Sequence, residues 1–109
     1  MAEQESRVIF VYTVCASDDE AARIAATLLE ERLIACGNWW PINSTYRWKG
    51  KIEKGTEIVL ILKTDNAHVE AVEEKVKGLH SYEVPCIGRL PLSSVNETYQ
   101  GWLEGELAS

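Results

Sequence analysis

The sequence predicts an α/β chain of the α+β type: one antiparallel sheet with two helices on one face and a short C-terminal helix. Three observations carry this reading. Two strand-like runs, residues 8–14 and 58–62, are built almost wholly from β-branched, aromatic and leucine residues. Two further segments space their apolar residues at the helical period. Between them an aromatic-rich stretch turns back on itself at Lys49-Gly50-Lys51.

The elements follow in order. Residues 7–15 form the first strand, and because the run does not alternate in polarity, both of its faces are expected to be buried. Ser17-Asp18-Asp19-Glu20 is a capping box. Behind it Ala21, Ile24, Ala25, Leu28, Leu29 and Leu33 mark an amphipathic helix over about 18–36, with Gly37 as its left-handed cap. Residues 38–48 favour strand through Trp39, Trp40, Ile42, Tyr46 and Trp48. Pro41 cannot donate a ladder hydrogen bond, so this strand must be an edge or carry a bulge. Residues 52–64 return as the second arm of the hairpin. Asp65-Asn66 offers N-caps to a second helix buried through Val69, Val72, Val76 and Leu79. Val84-Pro85 forces extended backbone, and 86–92 is a last short strand. Ser94-Val95-Asn96-Glu97 is a second capping box, opening a helix that presents Val95, Tyr99, Trp102 and Leu103.

This β-α-β-β-α-β order is the split βαβ pattern of ferredoxin-like folds. Right-handed crossovers put both long helices on the same sheet face. The 109 residues are expected to form one domain, 1–109, with a core that needs neither disulfide nor metal. The first and third strands, however, are apolar on both faces, and two helices cover only one. The uncovered face would be a large apolar patch, so another subunit is expected against it. Tryptophans on the hairpin suit such an interface.

Composition narrows the function. A net charge of −6 argues against general nucleic-acid binding. No apolar run is long enough to span a bilayer, and Met-Ala-Glu-Gln-Glu is unlike a secretory signal, so a cytoplasmic location is expected. Cys15, Cys36 and Cys86 are odd in number and not in a CxxC spacing, and read as reduced, mostly buried thiols. There is no Gly-x-Ser-x-Gly, phosphate-binding loop or dinucleotide fingerprint, and nothing in the spacing supports a Cys–His dyad, so no enzyme activity is expected. An RNP pattern for RNA is absent.

Ala35-Cys36-Gly37-Asn38 with Pro41, Tyr46-Arg47-Trp48-Lys49-Gly50-Lys51-Ile52, Leu62-Lys63-Thr64, His80-Ser81-Tyr82-Glu83-Val84-Pro85 and Tyr99 with Trp102 occur in one order along nearly the whole chain. Together they resemble the CutA divalent-cation-tolerance family. The resemblance implies a homotrimer of ferredoxin-like subunits, similar to nitrogen-regulatory PII proteins, with the three sheets facing inward. It also implies a role in the response to divalent metal ions and, in some members, copper binding. Three departures stand out: one residue fewer between Asn38 and Tyr46, Cys86 where glutamate is usual, and Ser81 where proline is common.

Copper-binding relatives resemble a pattern of one cysteine on the first strand and two adjacent histidines before the tyrosine. Here His80 matches the second histidine, Leu79 stands at the first, and Thr13 stands at the cysteine position. Cys15, two residues on, shares the sheet face of Thr13. The candidate metal ligands are therefore His80, Cys15, Cys86 and Glu83, for copper or another divalent metal. The competing reading of His80 is a helix-end residue that caps carbonyls or bonds across a subunit interface. His68 is expected to be exposed, and the runs Asp18-Asp19-Glu20, Glu30-Glu31 and Glu73-Glu74 to be solvated helix faces. The alternative function is a PII-like small-ligand-binding or scaffold and signalling trimer with only an indirect metal link, which could hold a small anion between subunits with Lys63, Arg47, Lys49 and Lys51 as candidate contacts.

Overall fold

The computed structural model describes residues 6–109. The elements are β1 (Val8–Cys15), α1 (Asp18–Glu30), β2 (Cys36–Trp48), β3 (Lys51–Asp65), α2 (Val69–Leu79), β4 (Ile87–Pro91) and α3 (Glu97–Glu106). The strands form one antiparallel sheet in the order β2-β3-β1-β4, the ferredoxin-like arrangement expected. No helix among the described residues is long and apolar enough to cross a membrane.

Alternation along the central strands sorts the core. Ile9, Val11 and Cys15 on β1 and Ile58, Leu60 and Leu62 on β3 pack under Ile24 and Leu28 of α1 and Val72 and Val76 of α2. Residues of the opposite parity, Val8, Phe10, Tyr12 and Val14, point to the other face beside Val59 and Ile61. There α3 covers one end, with Leu103 and Leu107 buried on Val8. Val59 and Ile61 are closed over by their neighbours, yet Phe10, Tyr12 and Val14 are only half-buried, and Trp40 and Leu90 are 47% and 43% exposed. The second face is thus partly covered by its own chain and still apolar where it is open.

Pro41 lies on an edge strand, in unbroken register opposite Ile58, so no bulge is needed. The hairpin turns on Lys49 and Gly50, at φ +49° and +81°. Two successive positive φ values make the turn whose twist matches that of the flanking strands.

Several local expectations are corrected. α1 ends at Glu30, six residues before the expected end at 36. Arg32 adopts φ +58°; its N–H donates to the Leu29 carbonyl and the Leu33 N–H to the Leu28 carbonyl, each at 3.0 Å. This pair of bonds is a Schellman cap, built on arginine instead of glycine. Gly37 is not a cap but part of β2, where a Cβ would stand 3.0 Å from Ala25 Cβ; its lack of a side chain lets α1 approach the sheet. Leu29 consequently faces solvent. The N-caps of α2 and α3 are His68 and Asn96, neither making a side-chain cap bond; the expected Ser94–Glu97 capping box does not form, and Asp65 instead accepts the His68 N–H at 3.0 Å.

Candidate functional site

Where β1 ends and α2 ends, three potential ligand atoms meet. Cys15 Sγ, a carboxylate oxygen of Glu20 and a ring nitrogen of His80 lie within 4.8 Å of one another. Of the expected metal ligands the fold therefore unites His80 and Cys15. It adds Glu20, expected on a solvated helix face but only 4% exposed.

The bonding of this cluster limits what it can do. Ser17 Oγ accepts the Glu20 N–H at 3.1 Å, the expected half of the capping box. The carboxylate does not return to Ser17. Its Oε1 accepts the Ala16 N–H and its Oε2 the Ser81 N–H, both at 2.8 Å. Burial pushes the carboxyl upward, but hydrogen bonding from the Ser81 side chain and from the Ala16 and Ser81 amides outweighs it and holds Glu20 below the usual carboxylate range. His80 Nε2 lies 2.8 Å from the Val14 carbonyl, which can only accept, so Nε2 carries a proton. Its Nδ1 accepts the Tyr82 N–H at 3.1 Å. Both ring nitrogens are thus occupied, as the competing reading of His80 anticipated. The Cys15 thiol is pushed up to about 11 by burial and by the Glu20 charge, which disfavours the thiolate a metal needs. As it stands, Glu20 and His80 are closed into hydrogen bonds that tie β1, α1 and the segment after α2 together, with the Cys15 thiol buried beside them. Its donor set does not fit an open metal site. Thr13, at the cysteine position of the copper pattern, is fully buried, and its hydroxyl has no hydrogen-bond partner.

Cys86 and Glu83 lie elsewhere, both exposed, in a cleft of about 620 Å³. Its walls include Val14, Tyr46 and Trp48 from the strands, with Glu57 and Tyr82. Tyr82 Oη donates to Glu57 Oε2 at 2.5 Å; burial, with this bond and charge behind it, raises the phenol above its ordinary value. None of Lys63, Arg47, Lys49 and Lys51 lines this cleft. Lys63 stands instead over Phe10 and Tyr99, 5.2 and 5.7 Å from the ring centroids. Of the three thiols only Cys15 is buried; Cys36 is half-buried and Cys86 exposed, against the expectation for all three.

The sequence matches the family described as CutA1 divalent ion tolerance protein over residues 9–106. It is 44% identical over 96 residues to the divalent-cation tolerance protein CutA of Pyrococcus horikoshii, covering 88% of this chain and 94% of that protein. A crystal structure of CutA1 from Pyrococcus horikoshii superposes with a TM-score of 0.89 at 42% identity, over 93% of this chain and 99% of that one. The structure of an Archaeoglobus fulgidus protein, described as the periplasmic divalent cation tolerance protein CutA, superposes with a TM-score of 0.87 at 39% identity, over 91% of this chain and 97% of that one.

Proposed function

Because this chain belongs to the CutA1 divalent ion tolerance family, we propose that it is a non-enzymatic divalent-cation tolerance protein that works as a homotrimer and takes copper at an exposed thiol. The observation that carries the assembly is the sheet face turned away from α1 and α2. There Trp40 and Leu90 are exposed beside half-buried Phe10, Tyr12 and Val14. A patch of this kind is costly on a free monomer, and a second copy of the same face covers it. Multi-angle light scattering at micromolar concentration is expected to give three times the mass of one chain. A stable monomer would contradict the proposal.

For the metal, Cys86 is the exposed thiol and shares its cleft with Glu83 and Trp48. A thiolate is the soft ligand copper prefers. His80 would have to give up its present hydrogen bonds, and Cys15 its proton, to take part. In a copper titration read by tryptophan fluorescence, the Cys86→Ser, Glu83→Gln variant is expected to lose saturable quenching. The His80→Ala, Cys15→Ser variant is expected to keep it. The reverse pattern would move the site back to β1 and the end of α2. Wild-type protein that shows no saturable response would remove copper from the proposal and leave the family role. The free thiols support a reducing, cytoplasmic setting, testable by cell fractionation.

A further inference from the structure

His68 is half-buried rather than exposed, and both of its ring nitrogens are bonded. Nδ1 lies 2.6 Å from Asp65 Oδ1 and Nε2 lies 2.7 Å from the Ala108 carbonyl oxygen. A carbonyl oxygen only accepts. The same Asp65 Oδ1 also accepts the His68 backbone N–H at 3.0 Å, so it serves as an acceptor twice. An imidazole set between two acceptors satisfies both only when it carries two protons.

The segment that His68 reaches is held from another side by Arg32. Arg32 Nε donates to the Glu106 carbonyl at 3.1 Å and Nη2 to the Gly105 carbonyl at 3.5 Å. The Ala108 N–H donates to the Arg32 carbonyl at 2.9 Å. Leu107 is buried between these bonds, against Val8 and Leu103. Asp65 on β3 is the charge that acts on the imidazole. Arg7, before β1, feels the same carboxylate and pairs with Glu104 of α3 at 2.9 Å.

We propose that His68 is a proton-controlled clasp on residues 105–108. Protonated, it holds Ala108 to the β3–α2 turn. When the ring loses one proton to solvent, the remaining N–H stays with the Asp65 carboxylate, the stronger acceptor. The Nε2 lone pair then faces the Ala108 carbonyl oxygen, and Ala108 loosens, its N–H bond to the Arg32 carbonyl with it, while the Arg32 guanidinium keeps its bonds to the Glu106 and Gly105 carbonyls. The Asp65 bond raises the His68 pKa first, burial opposes it, and the Ala108 bond adds to the rise. A folded value above the unfolded one means the clasp contributes fully below the ordinary imidazole value of about 6.5 and is lost as pH rises through the folded value.

The test is an NMR titration of the His68 ring with hydrogen exchange of the Ala108 amide, corrected for intrinsic exchange. His68 is expected to titrate above the free imidazole value, with Ala108 protection falling across the same midpoint. His68→Gln is expected to abolish that pH dependence. Asp65→Asn is expected to bring the midpoint down. Arg32→Ala is expected to weaken Ala108 protection at every pH without moving the midpoint, which separates a clasp from simple fraying. A His68 midpoint at or below the free value, or Ala108 protection that stays level through the titration, would overturn the proposal. If Asp65→Asn fails to fold, the wild-type and His68→Gln titrations decide.

Discussion

Glu20→Ala is expected to lower stability by about 3 kcal/mol and to loosen the segment carrying His80. The carboxylate holds two donors that no other group takes: the Ala16 N–H at the end of β1 and the Ser81 N–H beyond α2. Leaving a buried donor without its acceptor costs roughly 1–3 kcal/mol, and bonds to a charged acceptor lie at the upper end. Glutamine keeps one oxygen but turns an NH2 toward the other amide, so Glu20→Gln should recover only part of the loss. The pH dependence has a definite sign. The folded carboxyl sits below its unfolded value, so its contribution is complete above the ordinary glutamate value of about 4.3. It is lost as pH falls through the folded value. Urea unfolding at fixed protein concentration should therefore show a wide gap between wild type and Glu20→Ala at pH 7 that narrows in acid. Equal midpoints at pH 7 would show that the network is not holding these segments.

Leu60→Ala is expected to cost roughly 2–5 kcal/mol, the range for a truncated core leucine. Leu60 is fully buried in the middle of β3, opposite Thr13 on one side and Trp39 on the other, beneath both helices. A cavity there cannot be filled by solvent and is walled by strands that hydrogen bonds hold in place. Ile52→Ala, 57% exposed on the outer part of the hairpin, provides the control and should change stability by no more than about 0.5 kcal/mol. Thermal unfolding of the two variants side by side reads the difference. Near-equal losses would mean that β3 is not the centre of the core.

The strand order, the two-helix face and the edge position of Pro41 were legible because each follows from local rules acting over a few residues: β-branched runs, helical spacing and a missing donor. The end of α1 was not. Leu33 keeps the helical period past the true terminus, and the cap falls on Arg32, a residue type that carries no left-handed signal. Its conformation is supported by bonds to the Glu106 and Gly105 carbonyls, more than 70 residues further along. The site divides in the same way. His80 could be read as a helix-end residue, and Cys15 was placed on the sheet face of Thr13. Glu20 could not be read as buried, because Ser81, the residue that bonds it, comes from a segment 61 positions away. The cleft holding Cys86 and Glu83 draws its walls from β1, both arms of the hairpin and the loop after α2, so no window of sequence contains it.

The two-residue turn at Lys49 and Gly50 also has a consequence for how the chain reaches this state. The β2–β3 hairpin is the one strand pair closed by a short connection, and its register runs without a break from Cys36–Lys63 to Trp48–Lys51. Hairpins of this kind form in microseconds, with little loop entropy to overcome. The β1–β4 pair, by contrast, joins Ile9 to Pro91 across most of the sequence. Loop-closure entropy therefore predicts that the hairpin forms first, that β1 docks onto β3 next and that β4 closes last.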